Sequence, residues 1–505
     1  MPDVDSADIP TTDLVSPGAT PPSSLGNTMA RGGIATVIAN AAAQCVRVGA
    51  MILTARLLIP AEFGLFAMVS SAIGIASVLR DLGLSSATIQ RPTITNRQLS
   101  TLFWINSGFG LLATLIVVAI SPWLATGLGA PESAGLIASL APTFLMGGLA
   151  TQHRALLSRK LAFITQAHMS FWSMLASQSL ILLLAWQGAG IWALVSGALT
   201  LEFITLIWSW RAESWRPTLA FSLDETRPLL VFGGYVSVFS ILCYLASNLH
   251  QVLIGITSGH EAAGYFNRAY ALMLVPISLI LVPVGGVVSS ALSRVQSNPS
   301  SFSYYYLNSV ATVNLISAPM GCYALLFAPE LVTLLLGPTW AESGVLFRLM
   351  AISLIVQPLM NSTSWVYRAL GEARRLFWWG NVSWTLILIM YLPGLLWGAR
   401  GVAVAHSLSL MLLLWPCLHF AFRGTLITTS NTLRICAPAA CAAALAVLPA
   451  WGAHASLSGM RMLPALIFSS MVYAGCYIGL LLLLGEKSRL LNLWRHMHSW
   501  MKTSS

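Results

Sequence analysis

Two charges stand deep inside apolar stretches of this chain, Arg47 and Glu202. A charge at such depth in a bilayer costs about 2.5–3.5 kcal/mol on insertion scales, so each must find a partner or serve a function. Asn40 and Gln44 precede Arg47 by two turns and one turn on the same helical face. A guanidinium is a planar fork that can grip phosphate oxygens with two bonds at once, so this trio suits an anion. An Arg47–Glu202 ion pair accounts for both charges equally well. His250 lies among Asn248 and Gln251 in another apolar stretch. An imidazole there can titrate near neutrality and carry a proton, or sit neutral and hydrogen-bonded in a core. Arg268 and Arg348 open apolar stretches, where they can receive a phosphate or act as snorkelling anchors. Arg80 and Asp81 adjoin each other at the end of a stretch and read as a helix end or gate.

Lipid is the solvent that positions these residues. Hydrophobic residues make up 56% of the chain and charged residues 8%, and mean hydropathy is +0.76. A soluble surface needs roughly 25% charge. The net charge of +10 suggests no nucleic acid, because the basic residues are scattered between apolar runs and form no patch interleaved with aromatics. All seven cysteines fall inside apolar runs without CxxC spacing, which gives no disulfide framework, metal site or cofactor site. No DxD or HxxE cluster appears in the short outer connections between the apolar stretches, and no Walker A pattern appears, so catalysis and nucleotide hydrolysis are not expected.

The elements follow from length. A membrane helix needs about 20 apolar residues, and fourteen stretches qualify, near 33–55, 62–79, 101–123, 134–152, 163–186, 190–210, 229–256, 264–290, 304–328, 344–366, 376–396, 399–421, 434–453 and 462–484. Tight turns join neighbours at Gly188–Gly190 and Gly398–Gly401. The chain reads as an all-α integral membrane protein. Basic residues concentrate on one side of these spans, and the other side holds only Arg56, Arg268, Arg348, Arg400 and Arg461. The positive-inside rule then places both ends in the cytoplasm. Residues 1–28, rich in Asp, Pro, Ser and Thr, read as a disordered cytoplasmic tail. The final segment, 486–505, carries Leu490, Leu491, Trp494, Met497 and Met501 on one helical face and reads as an interfacial amphipathic helix.

The chain also repeats itself. GLF at Gly64 recurs as GYF at Gly264, and SSA at Ser85 recurs at Ser289. LGAPESAGLIASLA from Leu128 matches LGPTWAESGVLFRLMA from Leu336. HRALLSRK from His153 matches YRALGEAR from Tyr367, and GIWALVS from Gly190 matches GVAVAHS from Gly401. Shared order and spacing argue for two six-helix lobes, 29–215 and 216–425, followed by a helix pair over 426–485. Each lobe has an even number of spans, so the halves enter the membrane in one orientation and are related by an axis along its normal. Repeated halves of this kind commonly enclose a substrate path and rock about it.

At these residues the sequence resembles a known group. ARLLIPAEFGLFAMV, RDLGLSSATIQRP, QLSTLFWIN, GYFNRAYALMLVP and FAPELVTLLLGPTW are similar to segments of WzxC-type polysaccharide exporters, in the multidrug/oligosaccharidyl-lipid/polysaccharide flippase superfamily. The resemblance implies fourteen helices in two lobes. It also implies movement of a polyprenyl-pyrophosphate-linked oligosaccharide across the bacterial inner membrane for capsule, exopolysaccharide or O-antigen assembly. Membrane lipids, a polysaccharide polymerase and export machinery are the candidate partners. Trp365, Trp384 and Tyr367 are candidates for stacking on sugar rings. In the seventh span, ASNLHQVLIGI departs from the family's charged pattern, with Ser247, His250 and Ile256 where Arg, Asp and Arg often stand. The competing functions are a drug or cation antiporter of the same superfamily and, more remotely, an integral-membrane polymerase or ligase.

Overall fold

A computed structural model describes residues 44–486 except 82, 92, 458 and 460. The tail expected over 1–28, Asn40, and the terminal segment from 487 onward lie outside them. Every regular element among the described residues is helical. Ten helices are long and apolar enough to cross a membrane, or twelve when two bent pairs each count as one span. The chain is an all-α, multi-pass membrane protein.

Two compact units divide the chain, one of residues 73–241 with those up to 50, the other of 51–72 with 242–505. Residues 44–57 form α1 and Pro60–Ile73 form α2. The first unit continues with α3 (Ile75–Asp81), α4 (Leu84–Gln90), α5 (Asn96–Gly127), α6 (Ala134–Leu140), α7 (Pro142–Arg159), α8 (Phe163–Trp186) and α9 (Ile191–Ala212). Helix α10 (Leu223–Ser258) begins in the first unit and ends in the second. The second holds α11 (His260–Arg294), α12 (Pro299–Leu336), α13 (Ala341–Met350), α14 (Ser353–Ala369), α15 (Ala373–Gly394), α16 (Gly398–Ala421), α17 (Thr429–Ser456) and α18 (Met462–Leu483).

The internal repeat reappears as a repeated run of elements. A long helix, α5 or α12, leads to a 3₁₀ turn, Pro131–Ser133 or Pro338–Trp340. A short helix follows, α6 or α13, and the chain then breaks into α7 or α14. The second break bends the path by 52°. Side-chain caps start both long helices. Thr95 and Gln98 form a reciprocal capping box on α5, and Asn298 accepts from the Ser301 amide at 3.1 Å on α12, with Pro299 at the first turn. Such caps satisfy amides that the helix itself cannot. Left-handed Gly188 and Gly190 turn α8 into α9, and left-handed Gly398 turns α15 into α16. These are the two tight turns expected from the sequence.

A basic residue close after each RAL motif, Lys160 in one and Arg375 (one past the aligned position) in the other, fastens the end of the unit's last repeat helix. Lys160 pairs with Glu213 at 2.7 Å just past α9. Arg375 donates to the carbonyls of Phe420 and Arg423 at the end of α16. The roles match while the acceptors differ.

Within the second unit, α2 and α11 cross backbone on backbone. A Cβ on Gly64 would stand 1.6 Å from the His260 carbonyl oxygen, and one on Gly264 would stand 1.9 Å from that of Pro60. Glycine is the residue that permits so close an approach. Nearby, the Trp340 indole donates to the Ala55 carbonyl at 2.6 Å. Arg56 donates to the carbonyls of Leu334 and Leu335.

Helices α17 and α18 pack on α12 through a core of Leu315, Ala318, Cys322, Phe327, Ala443, Ala446, Tyr473 and Tyr477. Pro319 lies inside α12. Proline has no amide hydrogen, so the carbonyl four residues earlier loses its helical donor. That carbonyl belongs to Leu315, and Tyr477 donates to it at 2.8 Å. Tyr473 donates to the Pro319 carbonyl at 2.9 Å.

Candidate functional site

Helices α11 and α14 of the second unit bound an open cavity of about 380 Å³, lined by Leu281, Gly285, Gly286, Asn361, Ser364, Trp365 and Arg368. The last two turns of α14 supply its polar wall at the i, i+3, i+4 and i+7 spacing that puts Asn361, Ser364, Trp365 and Arg368 on one face. Behind that face lies the unit's core of Leu359, Val366, Tyr367, Tyr306 and Leu418, which holds α14 in place. Arg368 folds back along its own helix, its Nε donating to the Ser364 carbonyl at 3.1 Å and its Nη2 to the Ser364 hydroxyl at 2.7 Å. Opposite, α11 presents bare backbone. A Cβ on Gly285 would stand 3.0 Å from the Trp365 Nε1, whereas one on Gly286 would meet nothing within 4 Å. Trp365 and Tyr367 are 2% and 1% exposed. The cavity therefore receives the edge of Trp365, and neither ring offers an open face to a sugar in this state.

The charged residues singled out from the sequence fall in several places. Arg47 is exposed on α1, Gln44 is half-buried on the same helix, and no ion pair joins Arg47 to Glu202 among the described residues. Glu202 is half-buried on α9, and its charge acts on Arg80, as does that of Asp81. Arg80 donates to the Thr143 carbonyl at 3.3 Å, and its Nε is buried without a partner. It fits only because α7 has a glycine there, since a Cβ on Gly147 would stand 1.8 Å from the Arg80 Nη1. Asp81 accepts from the Ser85 amide at 3.3 Å and from its hydroxyl at 2.6 Å, tying down the start of α4.

In the second unit, Arg268 lies over the Phe63 ring at 3.7 Å with its Nε buried and unpartnered. A desolvated cation over an aromatic face gains about 2 kcal/mol or more, which accounts for a guanidinium with no carboxylate. Arg348 is exposed on α13. His250 is 1% exposed and its two ring nitrogens have no partner. Its ring packs against Phe266, Tyr270 and Tyr391 at 5.1, 5.2 and 5.6 Å.

Sequence reasoning missed what surrounds His250. His406, on α16, shares a hydrogen bond of 2.7 Å between its Nδ1 and the Tyr391 hydroxyl, and Tyr270 stands against both histidines. The signal was present, since His406 is the titratable residue in the GVAVAHS repeat. The first unit has a comparable cluster, in which His153 stacks on Trp210 at 4.5 Å beside Trp215 and Phe103. Arg368 was read only as an orientation signal and repeat residue, and Trp365 only as a candidate for sugar stacking, because the cavity they line exists only once α11 faces α14.

Over residues 53–345 the chain matches the family described as polysaccharide biosynthesis protein. It is similar to the teichuronic acid biosynthesis protein TuaB of Bacillus subtilis, 26% identical over 67% of this chain and 69% of that protein. It is similar also to the lipopolysaccharide biosynthesis protein WzxC of Escherichia coli, 25% identical over 71% of this chain and 73% of that one. In fold it is similar to the lipid II flippase MurJ in an inward closed conformation, with a TM-score of 0.70 at 14% identity, covering 90% of this chain and 99% of that one.

Proposed function

This chain belongs to the polysaccharide biosynthesis protein family, and from that premise we propose that it carries a polyprenyl-pyrophosphate-linked oligosaccharide from the inner to the outer leaflet of the bacterial inner membrane by alternating access. It is a transporter in this reading, with no catalytic step of its own. The observation that carries it is the family match across 53–345, which takes in the whole first copy of the repeated helical run and ends within α13 of the second. A cavity with a guanidinium, an amide and a hydroxyl on its wall supports a polar, anionic headgroup as cargo.

The architecture proposed for this task has fourteen spans, two six-helix lobes over 29–215 and 216–425, and the α17–α18 pair outside the repeat. Residues 373–421 count as a single apolar stretch of 49 residues, far beyond the roughly 20 that one crossing needs. The turn at Gly398 supports two spans there, and α1 with the segment before it supports one more. The basic bias supports a reading with both ends in the cytoplasm. Arg47, with Gln44 and Asn40, is the proposed phosphate contact of the first lobe, and Arg268 and Arg348 are those of the second. His250 and Glu202 are the proposed coupling groups, and Arg80 with Asp81 the proposed gate. Lipids surround the protein, and the polymerase and export machinery are its proposed partners.

Removing the protein from its cell tests the reading. The expected result is a lipid-linked oligosaccharide accumulating on the cytoplasmic leaflet and loss of the surface glycan. A changed drug-resistance profile without that accumulation would favour an antiporter instead.

A further inference from the structure

We propose that the cavity between α11 and α14 is a seat for the phosphate headgroup of a lipid, with Arg368 as its cation and Gly286 as the position that keeps it open. The proposal rests on the transport reading for its biological cargo, but its chemistry stands on the site alone.

Donors dominate the wall. Arg368 has five N–H groups and uses two sites on Ser364, leaving Nη1 without a partner among the described residues. No carboxylate pairs with it there. The Asn361 amide also lines the space and adds two more donors. No acidic side chain lines the space, so the ligand must be an anion or a hydroxyl-rich group, and the guanidinium fork favours phosphate. Leu281 gives one apolar edge, against which the first units of a lipid chain can lie. At about 380 Å³ the space falls in the usual range for small-molecule sites, about 300–1,000 Å³.

The two glycines separate packing from function. Gly285 is needed for packing, because a side chain there would press on the Trp365 indole. Gly286 is exposed and helical, and a Cβ there would meet nothing within 4 Å. Glycine in a helix interior is the weakest choice after proline, and packing does not call for it here. What a side chain at 286 would remove is the cavity itself.

The test uses the full-length protein in lipid nanodiscs and measures binding of a short-chain polyprenyl pyrophosphate, with phosphatidylglycerol and inorganic pyrophosphate as competitors. Gly286→Leu should fill the space and weaken binding at least ten-fold. Arg368→Gln, at an exposed position, should do the same with the protein still recovered folded. Strong competition by inorganic pyrophosphate alone assigns the recognition to the phosphate. Stronger competition by phosphatidylglycerol than by the prenyl lipid assigns the seat to bulk phospholipid. Unchanged affinity in both variants overturns the site. If glycan export in cells also stays intact in both, the transport reading survives the loss of this site. If the variants lose binding while removal of the protein causes no lipid-linked sugar to accumulate, the site stands and the transport reading falls.

Discussion

At the scale of single residues, the charges were legible and their partners were not. Arg47 and Glu202 stand out in any hydropathy reading, yet no ion pair joins them among the described residues, and the Glu202 charge is felt through space at Arg80, a residue at the end of α3. Which charges meet depends on which helices pack, and that lies beyond any one stretch of sequence. A double-mutant cycle separates the two pairings. Arg80→Leu with Glu202→Leu should show a coupling energy of about 0.5–3 kcal/mol in denaturant melts of the purified protein, and Arg47→Leu with Glu202→Leu should be additive. Coupling between Arg47 and Glu202 would restore the pair expected from the sequence. Gly147 provides a second check, because its missing side chain is the room that Arg80 occupies. Gly147→Val should expel the guanidinium and reduce the protein recovered from membranes, while Gly135→Val, where nothing lies within 4 Å, should not.

At the scale of elements, hydropathy located the helices but not their interruptions. The stretch near 344–366 reads as one span and is two helices, α13 and α14, bent by 52°. Apolar side chains suit lipid whether the helix is straight or broken, so hydropathy is blind to the bend. Prolines were visible, but their consequence required a neighbour. Tyr477 supplies the donor that Pro319 takes from Leu315. Tyr477→Phe should therefore cost about 0.6–1.7 kcal/mol in thermal unfolding. In a Pro319→Ala background the same change should cost less, because alanine returns an amide to the Leu315 carbonyl. An equal cost in both backgrounds would mean that the hydroxyl matters for another reason.

At the scale of the whole molecule, the repeat was the most readable feature, and the same run of long helix, 3₁₀ turn, short helix and broken partner occurs in each unit. What the repeat could not reveal is that residues 51–72, near the start of the chain, join the unit built by 242–505. The reading that both halves enter the membrane in the same orientation makes a definite prediction. In a cysteine-free background, Glu132→Cys and Thr339→Cys, at exposed positions of matching 3₁₀ turns, should both react with a membrane-impermeant reagent from outside the cell. Labelling of one from outside and the other only after permeabilisation would mean inverted halves.

The crossing of Gly64 and Gly264 has a consequence for how errors combine. Each is the other's counterpart in the repeat, and each leaves room for the opposite helix. An added methyl group at either position forces the same two backbones apart, and the separation is complete after the first. The second substitution then enters space already opened. Gly64→Ala and Gly264→Ala should each damage stability, and together they should do clearly less than the sum of the two. Duplicated positions usually offer a spare copy that buffers a fault in the first. Here the two copies form a single joint, so redundancy in the sequence becomes shared vulnerability in the structure.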